Sequence, residues 1–213
     1  MKIAIFHFQL FGINTYIVWD DKSRECAVID PGMINEEEEN SLSEFIEKHK
    51  LTVTHLINTH MHVDHSIGNR YVSERYNVVT EASPDDAFLG ENLVGQLRSF
   101  GIGIPVGNVT IATPLEDHDI INIGEEKLEV LAVPGHSPGG LALYDSKDGF
   151  VITGDSLFER SIGRTDLPGG DHAILIAAVK NKLLSLPGST VVYPGHGDPT
   201  TIQDEKNYNP FLK

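Results

Sequence analysis

The chain has 213 residues, of which 31 are acidic and 16 are basic, so its formal net charge is −15 at pH 7 with histidine neutral. This acidic balance argues against nucleic acid as a partner, because phosphate backbones are bound by basic surfaces. Hydrophobic residues make up 40% of the chain and charged residues 22%, which is typical of a globular core and excludes a disordered chain.

The N-terminal segment is apolar but interrupted by polar residues and glycine, so it lacks the pattern of a secretory signal. No segment reaches the roughly 18 consecutive apolar residues that a membrane span requires. Cys26 is the single cysteine, so the chain can form no internal disulfide, and an oxidising compartment is not indicated. We therefore expect a cytoplasmic monomer or homodimer without membrane contact, in which Cys26 packs as a small hydrophobic residue.

The first half of the chain alternates strand and helix patterns. Three strands are predicted at Lys2–Phe8, Asn14–Trp19 and Glu25–Asp30. Asn35 followed by Glu36, Glu37 and Glu38 predicts a helix start, because a capping side chain and carboxylates both complement free N–H groups. The β-branched run Thr52–Asn58 predicts a buried strand that leads directly to His60, and Ser66–Tyr76 fits a second helix.

The second half repeats this alternation. A third helix is predicted to begin with Ser83 as its cap and Pro84 in its first turn, and a loop-rich region then runs to about Asp119. Further strands are predicted at Asp119–Ile123, Lys127–Val133, Gly140–Tyr144, Gly149–Thr153 and Thr190–Tyr193, with a helix at His172–Leu186. No linker separates the two rounds, which predicts one domain over residues 1–213, with layered sheets and outer helices.

The densest group of metal-ligand residue types follows the strand Thr52–Asn58. His60 and His62 stand two residues apart, so they project to the same side of an extended chain and can converge on one ion. Asp64 and His65 stand where the chain turns into the next helix and can face a second ion. Imidazole and carboxylate ligands suit zinc, and also iron or manganese.

Three later positions complete a set for two ions. His136, Asp155 and His196 each follow a β-rich run, and a glycine stands immediately before each of them. Glycine permits the tight turns that a metal loop at a strand end requires. The pattern predicts a first ion on His60, His62 and His136, a second ion on Asp64, His65 and His196, and Asp155 as the bridge. Such a set leaves room for a bridging water, as in catalytic metal sites.

The succession of H-x-H-x-D-H, G-H-x-x-G, G-D and G-H resembles that of the metallo-β-lactamase-fold hydrolases over nearly the whole chain. The resemblance implies an α/β (α+β) fold: a four-layer αβ/βα sandwich of two mixed sheets face to face, with helices outside and the metal site at one edge. Zinc β-lactamases typically place a cysteine at the second metal, whereas Cys26 lies far from the motif and Asp155 is present. The segment Gly163-Arg164-Thr165-Asp166 and the C-terminal Y-P-G-H-G are most similar to short bacterial proteins of the glyoxalase II type.

This resemblance implies a hydrolase with two zinc ions, or iron or manganese, that acts on a small-molecule thioester of glutathione or a related thiol. Asp64 and Asp155 are expected to be catalytic, together with a hydroxide that bridges the ions. Arg164 is expected to bind an anionic group of the substrate, although an ion pair with Asp166 or Asp171 explains it equally well. The chain continues for about 17 residues after His196, so we expect no helical C-terminal domain of the kind that binds glutathione.

Three alternatives remain open at this stage. A single iron on His60, His136 and Asp155 would match the ligand set of non-haem iron oxygenases, and the chain would then be a persulfide dioxygenase. Lactone hydrolysis needs the same ions and differs only in the pocket. A non-catalytic module would be expected to have lost some ligands. Thioester hydrolysis is the leading interpretation, because the P-G-H-G form around His196 is more similar to the hydrolases than to the dioxygenases. A thioester or a lactone also suits the site better than a peptide, since a thiolate leaves without a separate acid and the sequence offers none near the ligands.

Overall fold

The protein is described by a computed structural model that covers residues 1–213 and centres on two six-stranded sheets packed face to face. The first sheet contains β1 to β6 in that order, namely Lys2–His7, Asn14–Trp19, Glu25–Ile29, Thr52–Ile57, Thr80–Ala82 and Thr113–Pro114. Strands β1, β2 and β3 pair antiparallel, whereas β3 to β6 pair parallel.

The second sheet is also mixed. Its strands are β7 to β10, β13 and β14, namely Ile120–Ile123, Glu126–Ala132, Leu141–Asp145, Phe150–Gly154, Val191–Pro194 and Thr200–Thr201. They lie in the order β14, β13, β10, β9, β8, β7, and only β10 and β13 pair in parallel. A small hairpin joins β11, Leu157–Phe158, to β12, Ser161–Ile162.

Seven short α-helices accompany the sheets. Helices α1 to α7 are Glu36–His49, Val63–Ser66, Asn69–Tyr76, Ala87–Gly90, Leu93–Ser99, His172–Ala178 and Ile202–Tyr208. A 3-10 turn, Pro84–Asp86, precedes α4, and a π-helical turn, Val179–Leu183, extends α6. Their lengths and apolar content are insufficient for any of them to traverse a bilayer.

Side-chain alternation along the strands divides the core into layers. In β2, Tyr16 and Val18 pack between the two sheets, whereas Ile17 and Trp19 pack against the outer layer that contains α1. Cys26 of β3 is fully buried in this same outer layer, as predicted. Helix α6 covers the outer face of the second sheet. The four-layer αβ/βα sandwich implied by the resemblance is therefore confirmed.

Three predicted helices differ from the structure. The last, predicted over His172–Leu186, is α-helical only to Ala178 and ends with the π-helical turn at Leu183. The second one begins at Val63 and is interrupted at Gly68, which donates its N–H to the carbonyl oxygen of Pro31. A Cβ at Gly68 would lie 2.7 Å from that oxygen, so this close backbone approach requires glycine. The third predicted helix divides into the 3-10 turn, α4 and α5, although its leucines, Leu89, Leu93 and Leu97, share one buried cluster.

Several short elements have no counterpart among the sequence predictions. They are strands β5, β6 and β14, the hairpin of β11 with β12, and helix α7. Each strand among them has only two or three residues, which is too short to display a two-residue alternation. The longer strands are confirmed to within one or two residues.

Candidate metal centre

Four loops meet at one edge of the sandwich, and each follows a strand: β4, β8, β10 or β13. They carry all seven predicted ligand side chains, whose ligand atoms form three overlapping groups with spacings of 4.8 Å or less. The groups are His60, His62 and His136; His60, His65 and Asp155; and Asp64, His65 and His196. The structure thus brings together residues that are up to 136 positions apart (196 − 60) in the chain.

The first group is the predicted first-ion set. Nδ1 of His62 lies 2.9 Å from Nε2 of His136. The other nitrogen of His136, Nδ1, donates to the carbonyl oxygen of Arg164 at 2.7 Å, which leaves the Nε2 lone pair directed at the cluster. His60 is fixed by a 3.2 Å hydrogen bond between its Nδ1 and the hydroxyl of Thr59, so its Nε2 also faces inward.

The second group lies beside the first, with Asp155 between them. Nε2 of His196 is 3.2 Å from Oδ2 of Asp64, and Nε2 of His65 is 3.3 Å from Oδ1 of Asp155. Oδ2 of Asp155 is 3.5 Å from Nε2 of His136 and 3.6 Å from Nε2 of His196. The Asp155 carboxylate therefore reaches nitrogens of both groups, which is the position that a bridging ligand needs.

Unpartnered polar atoms indicate that the cluster suits cations. Nε2 of His60, His62 and His65 and Oδ1 of Asp155 are buried without a hydrogen-bond partner. Buried polar atoms are normally paired, so four such atoms converging on one cluster require an explanation. Five imidazoles and two carboxylates are ligands that divalent zinc, iron or manganese accepts. The residues present therefore fit a two-cation centre.

Four of the clustered side chains, His60, His62, Asp64 and Asp155, are favoured in their metal-binding protonation states. Burial lowers the pKa of His60, and burial with the nearby His136 lowers the pKa of His62 to about 3, so both rings are neutral at pH 7. Burial alone would raise the pKa of Asp64 and Asp155, but the surrounding histidines, chiefly His65, together outweigh burial and lower both. Burial would lower the pKa of His65 and His196, but neighbouring carboxylates outweigh it and raise both, so these two rings must release a proton to bind a cation. Neutral imidazole and ionised carboxylate are the states that bind metal ions.

Asp30 is a supporting residue that the sequence analysis did not identify. It is fully buried immediately after β3, with φ of 51°. Its Oδ2 accepts hydrogen bonds from Nδ1 of His65 at 2.9 Å and from the Thr59 hydroxyl at 2.6 Å. Such a carboxylate fixes the orientation of a ligand histidine, here with Nε2 toward the cluster. Its only signal in the sequence is an acidic residue at a strand end, before Pro31.

A second buried carboxylate connects two ligand loops. Oδ2 of Asp86 accepts from the Met61 N–H at 3.1 Å and from the Ser137 hydroxyl at 2.8 Å, and Oδ1 accepts from the Gly139 N–H at 2.7 Å. Burial raises the pKa of Asp86, and these three hydrogen bonds oppose that rise. Because Met61 and Ser137 are neighbours of His60, His62 and His136, Asp86 holds the first group in register.

The glycines that precede the ligands have specific steric roles. Gly135 has φ of +127°, a conformation that side-chain-bearing residues rarely adopt. A Cβ on Gly195 would collide with the carboxylate of Asp155 and the ring of His65. The two loops therefore bring His136 and His196 to the cluster only with glycine at these positions.

A cavity of about 640 Å³ opens onto the cluster. Besides cluster side chains, its lining includes four phenylalanines, Phe11, Phe88, Phe100 and Phe158. Arg164 also lines the cavity, with its side chain 55% exposed, and forms two 2.7 Å hydrogen bonds with Asp166. The bracing ion pair considered for Arg164 is therefore present, and the guanidinium nevertheless lies at the cavity.

Comparisons with known proteins cover nearly the whole chain. The model of the metallo-beta-lactamase superfamily matches residues 9–196. Hydroxyacylglutathione hydrolase GloC of Haemophilus influenzae is 34% identical over 217 residues, which cover 100% of this chain and 98% of that protein.

Solved structures give the same result. The BLEG-1 B3 metallo-beta-lactamase matches with a TM-score of 0.90 and 31% identity over 100% of both chains. TTHA1623 in a di-iron-bound form matches with a TM-score of 0.86 and 35% identity, over 98% of this chain and 100% of that one. The region matched by the family model contains all seven clustered side chains and ends at His196.

Proposed function

The chain belongs to the metallo-β-lactamase superfamily, and within it we propose that the protein is a two-metal thioesterase of the glyoxalase II type. Its proposed substrates are small-molecule thioesters of glutathione or a related thiol. The observation that carries the proposal is the complete set of seven convergent side chains, with Asp155 within reach of both groups. The end-to-end similarity to a hydroxyacylglutathione hydrolase supports the choice of substrate class.

Each side chain has a proposed task in this reaction. His60, His62 and His136 would hold one cation, and Asp64, His65 and His196 the other, with Asp155 between them. Cations at such sites act as Lewis acids and lower the pKa of water to about 7. Positive charge in the cluster would keep Asp64 and Asp155 ionised, so they could accept hydrogen bonds from the attacking water and orient it.

The lining of the cavity favours a thioester over an amide. Outside the seven clustered side chains, Arg164 is the only ionisable residue that lines it, and a guanidinium does not release its proton. An amine leaving group must be protonated, whereas a thiol with a pKa of about 8.5 departs as the thiolate. Thioester hydrolysis therefore does not require a general acid, which the cavity does not provide.

We further propose that Arg164 binds the substrate at the rim of the cavity. Its guanidinium is half exposed and presents donors that match a carboxylate. Asp166 occupies two of these donors, so an anionic substrate group would compete with that ion pair or use the remaining N–H groups. Zinc is the proposed metal, and the di-iron form of TTHA1623 supports iron as the substitute.

The test is metal analysis of the purified protein combined with two assays, hydrolysis of S-lactoylglutathione and persulfide-dependent uptake of O₂. We expect about two metal ions per chain and thioester hydrolysis without O₂ consumption. One iron per chain with O₂ uptake would overturn the proposal in favour of the dioxygenase. In that alternative His60, His136 and Asp155 would hold the single iron, and Asp64, His65 and His196 would surround it without binding a second ion.

A further inference from the structure

Exposed aromatic side chains are concentrated at the mouth of the cavity. The chain exposes eight large hydrophobic side chains, and three of them line this one cavity: Phe11, Phe88 and Phe100. They come from three separate segments, and the rings of Phe11 and Phe100 pack edge to face with centroids 5.0 Å apart. Exposed apolar groups that gather around a polar site indicate a binding surface, because water contact is unfavourable for them.

Two of the three uncharged polar side chains in the lining, Gln96 and Ser99, are already used within the protein, and Asn92 is the third. Oε1 of Gln96 accepts the Val63 N–H at 2.9 Å, and its Nε2 donates to the Leu89 carbonyl oxygen at 2.9 Å. The hydroxyl of Ser99 donates to the Gln96 carbonyl oxygen at 2.7 Å. Because these side chains are committed to backbone partners, the surface they leave to a ligand is mainly hydrocarbon.

The rest of the lining strengthens this apolar character. Leu89, Leu167 and Pro168 continue the wall toward Arg164, whose charge is paired with Asp166. The cavity of about 640 Å³ is larger than the space that an acetyl or lactoyl group fills. We call Phe11, Phe88, Phe100, Leu89 and Leu167 the apolar wall.

We propose that the apolar wall binds an apolar arm of the substrate, an aromatic ring or an alkyl chain of about four or more carbons. This inference rests on the proposed thioesterase function, and it narrows the substrate class. With the arm against the wall, the thioester carbonyl lies at the metal cluster, because the cluster side chains form the adjoining part of the same lining. The arm belongs either to the acyl group or to the thiol, since both flank the carbonyl.

Two series of thioesters distinguish these sources. The first series varies the acyl group, as acetyl, butanoyl and hexanoyl esters of N-acetylcysteamine, and the second varies the thiol, as acetyl esters of methane-, butane- and hexanethiol. Burial of one methylene is worth about 0.8 kcal/mol, so we expect kcat/KM to rise about fourfold per added methylene in one series. The series that rises identifies the arm.

Two outcomes of these assays separate the two proposals. If all esters react but both series are flat, the inference fails and the thioesterase function stands. If no ester reacts, S-lactoylglutathione included, the proposed function fails. Calorimetric binding of inert thioethers then tests the wall on its own: S-hexyl-N-acetylcysteamine is expected to bind at least about tenfold tighter than its S-methyl analogue, and equal affinities would overturn the inference.

A matched pair of variants tests the assignment of the wall. Phe100→Ser removes a ring of the wall, and we expect it to reduce the long-chain to acetyl ratio of kcat/KM by about tenfold. Phe211→Ser removes a comparably exposed ring outside the cavity and is expected to leave the ratio unchanged. Phe88→Ser is the second wall variant, for the case in which Phe100→Ser does not fold. Ratios that match the parent in both wall variants would overturn the inference.

Discussion

Asp30 shows how much a metal cluster depends on a residue that does not enter it. Its carboxylate accepts two hydrogen bonds through one oxygen, from His65 and from the hydroxyl of Thr59. The Thr59 hydroxyl lies in turn beside Nδ1 of His60, so one carboxylate helps to orient ligands of both groups. Because it carries a full charge in a buried position, its removal affects orientation and electrostatics together.

Asp30→Asn is therefore expected to weaken metal binding by about 10- to 100-fold while the protein stays folded. The amide keeps the volume of the side chain but loses the charge opposite His65. The measurement is metal content after dialysis against graded chelator concentrations. Asp20→Asn, at an equally buried aspartate that follows β2, serves as the control and should retain the parental metal content. Equal metal loss in both variants would show that Asp30 has only a general structural role.

Variants of Arg164 and of its partner Asp166 distinguish the proposed role in substrate binding from a role in bracing the loop. Arg164→Ala should raise KM for an anionic thioester by about tenfold, with a smaller effect on a neutral one, because a charge-assisted hydrogen bond to the substrate is lost. Asp166→Asn should lower KM for the anionic ester, since it frees the guanidinium. Steady-state kinetics with both esters measure this. If Arg164→Ala affects both esters equally, Arg164 only braces its loop.

At the residue scale, the clustered side chains could be predicted from the sequence, whereas most of the residues that surround them could not. Ligands such as His60 and His62 appear as a spaced motif, and His136 and His196 follow glycines whose steric role the structure explains. Asp30 and Asp86 are defined by the partners that folding brings to them, and a single sequence does not encode those partners locally. The same holds for the four phenylalanines of the cavity, which come from separate loops.

At the scale of the loop, Gly195→Ala is expected to reduce metal content and activity more than stability. The added methyl group collides with the Asp155 carboxylate and the His65 ring, and the loop must shift to relieve it. Metal analysis beside thermal unfolding separates the two effects. Gly103→Ala, at a glycine with free space around it, is the matched control and should change neither quantity. Full metal content in Gly195→Ala would contradict this account.

A histidine in β4 joins the two sheets. Nδ1 of His55 is 2.7 Å from Oε1 of Glu81 in β5, and Nε2 is 3.0 Å from the carbonyl oxygen of Asn122 in β7. Both nitrogens can donate only when the ring is protonated. The hydrogen bond to Glu81, opposed by burial, raises the pKa of His55 above its ordinary value.

This arrangement predicts a pH-dependent contribution to stability. Because the pKa of His55 is higher in the folded state, its contribution is complete below the unfolded value of about 6.5 and is lost as pH rises through the raised value. His55→Leu should therefore lower the unfolding midpoint more at pH 6 than at pH 9, as measured by urea denaturation. The exposed His172→Leu controls for histidine loss in general. A pH-independent effect of His55→Leu would contradict the prediction.

At the scale of the element, the sequence predicted those strands and helices that are long enough for their hydrophobic pattern to repeat. The strands from Asn14 to Trp19 and from Thr52 to Ile57 are long enough to display their pattern. Helices near the cluster are broken instead into pieces such as α2 and α3, because backbone contacts at Gly68 interrupt them. Those contacts depend on the tertiary structure, so local propensity does not reveal them.

At the scale of the whole molecule, metal binding and folding are linked. A cation that binds only the folded state stabilises that state by about 4 kcal/mol when the free cation concentration is about 1,000 times the Kd. For a chain of this size we expect chelation to lower Tm by about 10 °C and added zinc to restore it. Differential scanning calorimetry of the same sample before and after metal removal measures the shift. An unchanged Tm would contradict tight, selective binding of cations to the folded state.

The seven clustered side chains are shared unequally between the two sheets. The loop after β4, in the first sheet, supplies His60, His62, Asp64 and His65, whereas loops of the second sheet supply His136, Asp155 and His196. Each proposed ion thus draws ligands from both halves of the chain, and neither half supplies all three ligands proposed for one ion. Bound cations would therefore cross-link the two halves of the sandwich. Because both halves contribute ligands to each ion, activity would require that the halves are correctly packed against each other.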